Sequence, residues 1–526
     1  YNTFIGDSAG KGNSGTYTAE QNVALGRESL LNVTTGRINV AVGYQSGRSM
    51  TTGYSNVSLG HQAGYSLTTA RKNVAIGNQA GYSMSTGTGS VMVGETAGVY
   101  STNDYAIGIG YNALGGNTSG DGNIAIGKDA LKANTTGNYN TAIGYQALDA
   151  NVHGDNNVAM GYAALTTLAP SDGAGANTAI GMNAGRNATT GTGNVFMGYN
   201  AAYNITDTVD QVIIGKQAGE DNNENYNVFI GSEAALNATG VGNSVVIGRQ
   251  AMGGAAASGD DNTIVGYQAG YDITSGHSNV LLGSYAGTNI TDLYENTIIG
   301  FRAGQSLASQ TTHGRVTLVG YQAGYSMTGT DVESTVMVGW NAGYNYKATK
   351  AATLVGGYAG YNLSGAGDAS VAIGIQAGYG ASTGFAADNS VFIGNAIAET
   401  ATSSQYDVFI GGRAGGSLGN SSVGNTVIGF DGGRQLGGTA NAQYNTILGY
   451  QAGYYLGKTD GGITGVASTG NVALGKGAGI QNRGGNKNVY IGFEAGPPSA
   501  TSEANKLYIN NAASATPLIG GDFSAG

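Results

Sequence analysis

Residues Asn73–Gly81 read NVAIGNQAG, and the phrase returns as NVAMGYAA at 157–164, NTIVGYQAG at 262–270 and NVALGKGAG at 471–479. A catalytic loop is written once; a phrase written this often is the wall of an object. Anchoring each copy on the Gly that closes the V-A-I-G element gives 28 copies between Gly6 and Gly492. The commonest interval is 17 residues, with excursions from 16 to 20 and one of 26. Such variation belongs in loops, because a strand inside a stacked wall cannot absorb an insertion. The array occupies residues 1–496, followed by a tail over 497–526.

The columns of the repeat carry the secondary structure. The residue before the anchor Gly is Ile, Val, Leu or Met in all 28 copies, and the residue three before it is Val, Ile or Thr in all 28. Two such positions separated by one residue have the period of a strand, and β-branched side chains favour it. Three after the Gly, Ala occurs in 24 copies; seven after it an aliphatic is frequent, as at Met50, Leu67, Ile273 and Leu363. A Thr-Thr-Gly turn often follows, as at Thr51–Gly53. One short strand, a Gly bend, a second extended piece and a turn make one coil of an all-β, parallel β-solenoid (β-roll). Twenty-eight coils at about 4.8 Å each would make a rod on the order of 130 Å long.

Composition agrees. Gly supplies 95 of 526 residues, Pro only 4, and charged residues 10%. The net charge of −10 disfavours nucleic-acid binding, which needs clustered Lys and Arg. With no Cys there is no disulfide scaffold and no thiolate metal site. No apolar run is long enough for a transmembrane helix. The chain begins at Tyr1 inside a copy of the repeat, which reads as a processed chain whose export signal is not visible.

The column two before the Gly decides the assembly reading. Taking the flanking aliphatics as the lumen, this residue points outward, where water would demand a polar side chain. It is instead Ala or a bulky apolar residue in all but Ser58 and Gly108, and a strand apolar on both faces is buried on both. Identical chains packed wall to wall under rotational symmetry would bury it. The candidate oligomer face is therefore Phe196, Phe229, Ile264, Leu281, Ile298, Leu318, Phe392 and Phe409. Asn stands four before the Gly in 18 copies, where stacked amides can hydrogen-bond along the array.

The N-V-A-I-G-x-Q-A-G unit with Thr-Gly turns resembles the head repeats of trimeric autotransporter adhesins. It is more similar to the repeat arrays of tail-fibre-like proteins that end in an endosialidase-type intramolecular chaperone. Asn505–Gly526, NKLYINNAASATPLIGGDFSAG, resembles the segment joining such arrays to the chaperone. The resemblance implies a homotrimeric fibre, extracellular on a cell surface or virion, acting as shaft or adhesin; the open solenoid ends are unpaired strand edges that would also allow head-to-tail growth as a filament subunit.

Chemistry is thinly represented. His61, His153, His277 and His313 fall in different columns, each without a partner, which is the pattern of surface residues rather than metal ligands. Asp121, Asp155, Asp172, Asp260, Asp261 and Asp368 do not match a calcium loop. No nucleophile–base set or phosphate loop is present, so the chain reads as a non-enzyme without a cofactor. Tyr65, Tyr82, Tyr271, Tyr325, Tyr344 and Tyr361 share one column and form a candidate surface-binding stripe for glycans, with corner protection as the plainer role. The interval Gly457–Ser468 is the candidate loop for a local pocket. The expected partners are further copies of the chain, end to end as well as side by side, and surface glycans.

Overall fold

A computed structural model describes the chain except residues 13–17, 172, 308–313, 329–333, 348–350, 365–369, 381–384, 419–420, 438–440, 459–466, 515 and 526. It comprises two compact units, Tyr1–Asp260 and Asp261–Gly526. Both are parallel β-solenoids. In the first, each anchor Gly is preceded by a three-residue strand, fifteen in all from Thr3–Ile5 to Val245–Ile247. They stack in register, with Val23 beside Val40 and Ala24 beside Ala41. The second unit repeats this from Thr263–Val265 to Val489–Ile491. It adds a second parallel ladder through Leu363–Ser364, Phe385–Asp388, Ser403–Gln405, Ser422–Val423, Ala442–Gln443 and Ser468–Thr469.

The backbone satisfies itself coil to coil: Val40 N–H donates to Asn56 C=O at 2.9 Å, and Gly43 N–H to Leu25 C=O at 2.8 Å. Stacking is tight at the anchor. Gly60 has φ +135°, and a Cβ there would lie 2.5 Å from the carbonyl oxygen of Gly77 in the next coil. Both the angle and the clearance admit only Gly.

The strands face the opposite way from the sequence expectation. Phe196, Phe229, Ile264, Leu281, Ile298, Leu318, Phe392 and Phe409 are buried in the lumen, none more than 1% exposed. They are core, not an outer face. The aliphatics on either side of them, such as Val74 and Ile76, point outward. In a strand this short the alternation marks two faces but not which is inside, and here both are apolar.

The lumen is filled by volume compensation between the central strand residue and the residue four after the Gly. Gly108, Ala125, Ala142 and Ala159 go with Leu114, Leu131, Leu148 and Leu165, whereas Phe196 and Phe229 go with Ala202 and Ala235, all twelve buried. Where the later position is Gly, another lumen side chain takes its space: a Cβ on Gly81 would lie 2.5 Å from Met84, and one on Gly185 2.5 Å from the Phe196 ring of the next coil. Native packing density is kept by exchanging methylenes between columns.

The Asn column forms the expected ladder. Asn39 Oδ1 accepts from the N–H and Nδ2 of Asn56 at 3.0 and 3.1 Å, while Asn39 Nδ2 donates to Gly53 C=O at 2.9 Å. Each buried amide thus fixes a strand start and a turn together. In the tail, Lys506–Ile509 adds one more parallel strand to the ladder, Leu507 beside Val489, and Ile519–Asp522 pairs antiparallel with it.

Candidate assembly face and aromatic rows

Two outward columns, three and one before each Gly, run the length of each unit. The strands carry intermediate burial at both, as in Val40–Val42, Val212–Ile214 and Thr297–Ile299. Several are exposed outright: Val23, Leu25, Ile76, Ile109, Ile126, Met160 and Ile180 in the first unit, and Ile373, Ile428, Leu448 and Ile491 in the second. Strands about 10 Å long stacked about 4.8 Å apart give the first unit's face an area of about 700 Å². That exceeds the apolar patch usual on a monomer and approaches one partner's share of a standard interface.

The Tyr column is half-buried and resolves into separate stacks. Tyr65 and Tyr82 lie 4.8 Å apart at 7°. In the second unit Tyr325, Tyr344, Tyr361 and Tyr379 form a continuous stack with centroids 4.9, 5.0 and 5.2 Å apart. Tyr271 stands outside it, because the column holds Thr288 in the following coil. Burial raises the phenol pKa of Tyr344 and Tyr361, reinforced by neighbouring phenols. Arg48 donates to Tyr65 Oη at 3.0 Å and Arg186 likewise to Tyr203. At Tyr65 and Tyr203 the phenol oxygen is thus taken by the chain's own guanidinium.

The sequence reading left the Q of G-x-Q-A-G unexplained. It sits at φ near +55° in successive coils, Gln45, Gln62 and Gln79. Gln62 Nε2 donates to Gln45 Oε1 at 2.9 Å and Gln79 Nε2 to Gln62 Oε1 at 3.1 Å. An outer amide ladder thus offsets a left-handed backbone that non-Gly residues adopt at a cost.

Asp121, Asp155 and Asp260 share a column with Asp104, six before the Gly, and there accept from the backbone of the preceding coil. Asp104 Oδ1 accepts from Thr88 N–H at 2.7 Å, Asp121 from Asp104 N–H at 3.3 Å, and Asp155 from Asn138 N–H at 2.6 Å. Asp260 caps Gly242 N–H in the same way at 2.7 Å. His61 stacks on Tyr44 and His277 on Tyr294, and the ring of His153 meets Thr136 Oγ1 at 2.7 Å. His313, Asp172, Asp368 and most of Gly457–Ser468 lie outside the described residues. Among the described residues no three His, Asp or Glu side chains gather into a metal-binding group, and no helix is long and apolar enough to cross a membrane.

No protein-family model matches the chain, and no curated protein matches it by sequence.

Proposed function

We propose that the chain is a structural subunit of an extracellular fibre, a shaft or filament in which identical copies pack through the outward aliphatic rows. The carrying observation is the continuous apolar face of about 700 Å² in the first unit alone, with no element among its described residues laid over it. A patch of that size and regularity is what a second copy of the same solenoid, presenting the same coil spacing, can match row for row. The resemblance of the repeat to adhesin heads and tail-fibre arrays favours three copies. The lumen and the buried Asn ladder supply stiffness, since bending would open stacked hydrogen bonds. No catalytic group is invoked.

Electron microscopy with mass per unit length tests this. The mass of three coils for each rise of about 4.8 Å supports the trimer; the mass of one coil per rise overturns side-by-side assembly. Discrete particles make the protein a shaft, and continuous filaments make end-to-end growth part of its role. Attachment to a surface glycan is the second reading, favoured by one particular groove.

A further inference from the structure

One corner of the first unit carries a groove of about 480 Å³ lined by Thr18, Glu20, Thr35, Arg37, Thr52 and Tyr54. It runs along the stack. One wall is the row Glu20, Arg37, Tyr54, Arg71, Thr88, held one above another by parallel bridges. The other is the row Thr18, Thr35, Thr52, Thr69, and between them lie inward-facing Ala19, Gly36, Gly53 and Ala70.

Two features set this corner apart. Each Thr-Thr pair divides its labour. Thr34, Thr51 and Thr68 donate to the next coil's carbonyl at 3.1, 3.1 and 2.9 Å. Thr35, Thr52 and Thr69 are exposed, and their hydroxyls have no partner among the described residues. Charge is the second feature. Residues 1–90 hold six Lys and Arg against three Asp and Glu, a balance of +3, so the remainder of this −10 chain carries −13. Arg37 and Arg71 are exposed, and neither forms an ion pair among the described residues. Both stack against Tyr54, with guanidinium carbons 5.6 and 6.0 Å from its ring centroid. Tyr54 thereby spaces two guanidiniums two coils apart, about 10 Å, with Asp104 near enough to favour the charge on Arg71. The row then reverses sign, with Glu20 at one end and Asp104 and Asp121 beyond Thr88 at the other.

We propose that this groove binds a short stretch of linear acidic polysaccharide bearing one carboxylate per disaccharide. Each guanidinium takes a carboxylate through its planar fork, and the unpaired Thr hydroxyls bond the sugar hydroxyls between. Coil spacing matches the advance of one sugar in an extended chain, so the two-coil spacing of the arginines matches one disaccharide. The acidic ends confine the occupant to about four sugars. A polyphosphate or nucleic acid, charged at every unit, would place anions against Glu20 and Asp104. This deepens the attachment reading and is independent of the copy number of the fibre.

The test is calorimetric titration of the full chain with a hyaluronan tetrasaccharide, which carries two glucuronates, and with chitotetraose, its neutral counterpart. Binding of the acidic probe with little heat from the neutral one is expected. Arg37→Gln and Arg71→Gln should each weaken it about tenfold, the worth of one charge-assisted contact. Thr52→Val should weaken it less, and Arg186→Gln, which removes a guanidinium from a different corner, should leave it unchanged. Equal binding of both probes, no binding, or indifference to both arginine changes would overturn the proposal. All four substituted residues are on the surface, so unchanged mass per length in the variants separates loss of the site from loss of the fibre.

Discussion

At the scale of single residues, the anchor Gly and the residue four before it set what a coil tolerates. Gly60→Ala puts a methyl against the Gly77 carbonyl and forces an L-residue to φ +135°. We expect a loss of more than about 2 kcal/mol, localised to neighbouring coils, whereas at Gly357 an added Cβ meets nothing within 4 Å and Ala should be neutral. Hydrogen exchange reads the difference coil by coil, since a solenoid need not unfold as one unit. Asp407 replaces Asn in the buried column. It accepts from Ser404 Oγ at 2.5 Å and from the N–H and Nδ2 of Asn425 at 2.7 and 3.0 Å. Burial nevertheless raises its pKa above the ordinary carboxylate value. A folded pKa above the unfolded one means that its contribution is full at acidic pH and declines as pH rises through the folded value. Asp407→Asn should therefore be more stable than the wild type at pH 7 and lose that advantage near pH 4. Exchange protection of Val408–Ile410 at the two pH values measures it, and equal protection at both would remove the electrostatic argument.

At the scale of the element, the Asn ladder was legible and the facing of the strand was not. The ladder depends only on column identity: stacked amides bond whatever else the coil does. Asn39→Ala should cost about 2–4 kcal/mol, because Gly53 C=O and Asn56 N–H lose their partner inside the wall. Asn39→Ser should cost less, since Ser90 already fills the column by donating to Asn103 C=O at 3.0 Å and accepting from Ala106 N–H at 3.1 Å. Chemical denaturation of the two variants ranks them, and the reverse order would show that the amide is not the ladder's essential part. Facing was ambiguous because a three-residue strand apolar at every position has no polar side to mark water. The deciding signal lay in the covariation of size between columns. A residue that ranges from Gly108 to Phe229 while Leu114 and Ala235 compensate is filling a closed volume. Outward positions varied little, Val, Ile or Thr three before the Gly and Ile, Val, Leu or Met one before it, since shape there answers to a flat surface. The groove at Arg37 was illegible for another reason: its residues recur at intervals of 17 and meet only once the coil is closed.

At the scale of the whole molecule, reversing the strand moves the assembly argument onto other residues without removing it. The same alternation that buries Ala75 leaves Val74 and Ile76 outside, so a face remains that water alone would not select. This separates two kinds of substitution. Phe229→Lys places a charge in a closed lumen and should unfold its coils before any assembly is measured. Leu59→Lys, Ile76→Lys and Val93→Lys together place three like charges in one outward column, about 4.8 Å apart. The coils should survive, because those side chains already reach solvent. Copies packed face to face would be forced apart by unpaired charge in an apolar interface. The expected result is an unchanged β-sheet circular dichroism spectrum with a fall in sedimentation mass to one chain. An unchanged mass would place the contact between copies elsewhere, and the half-exposed aliphatic rows would then stand as a surface that the fold, rather than assembly, requires.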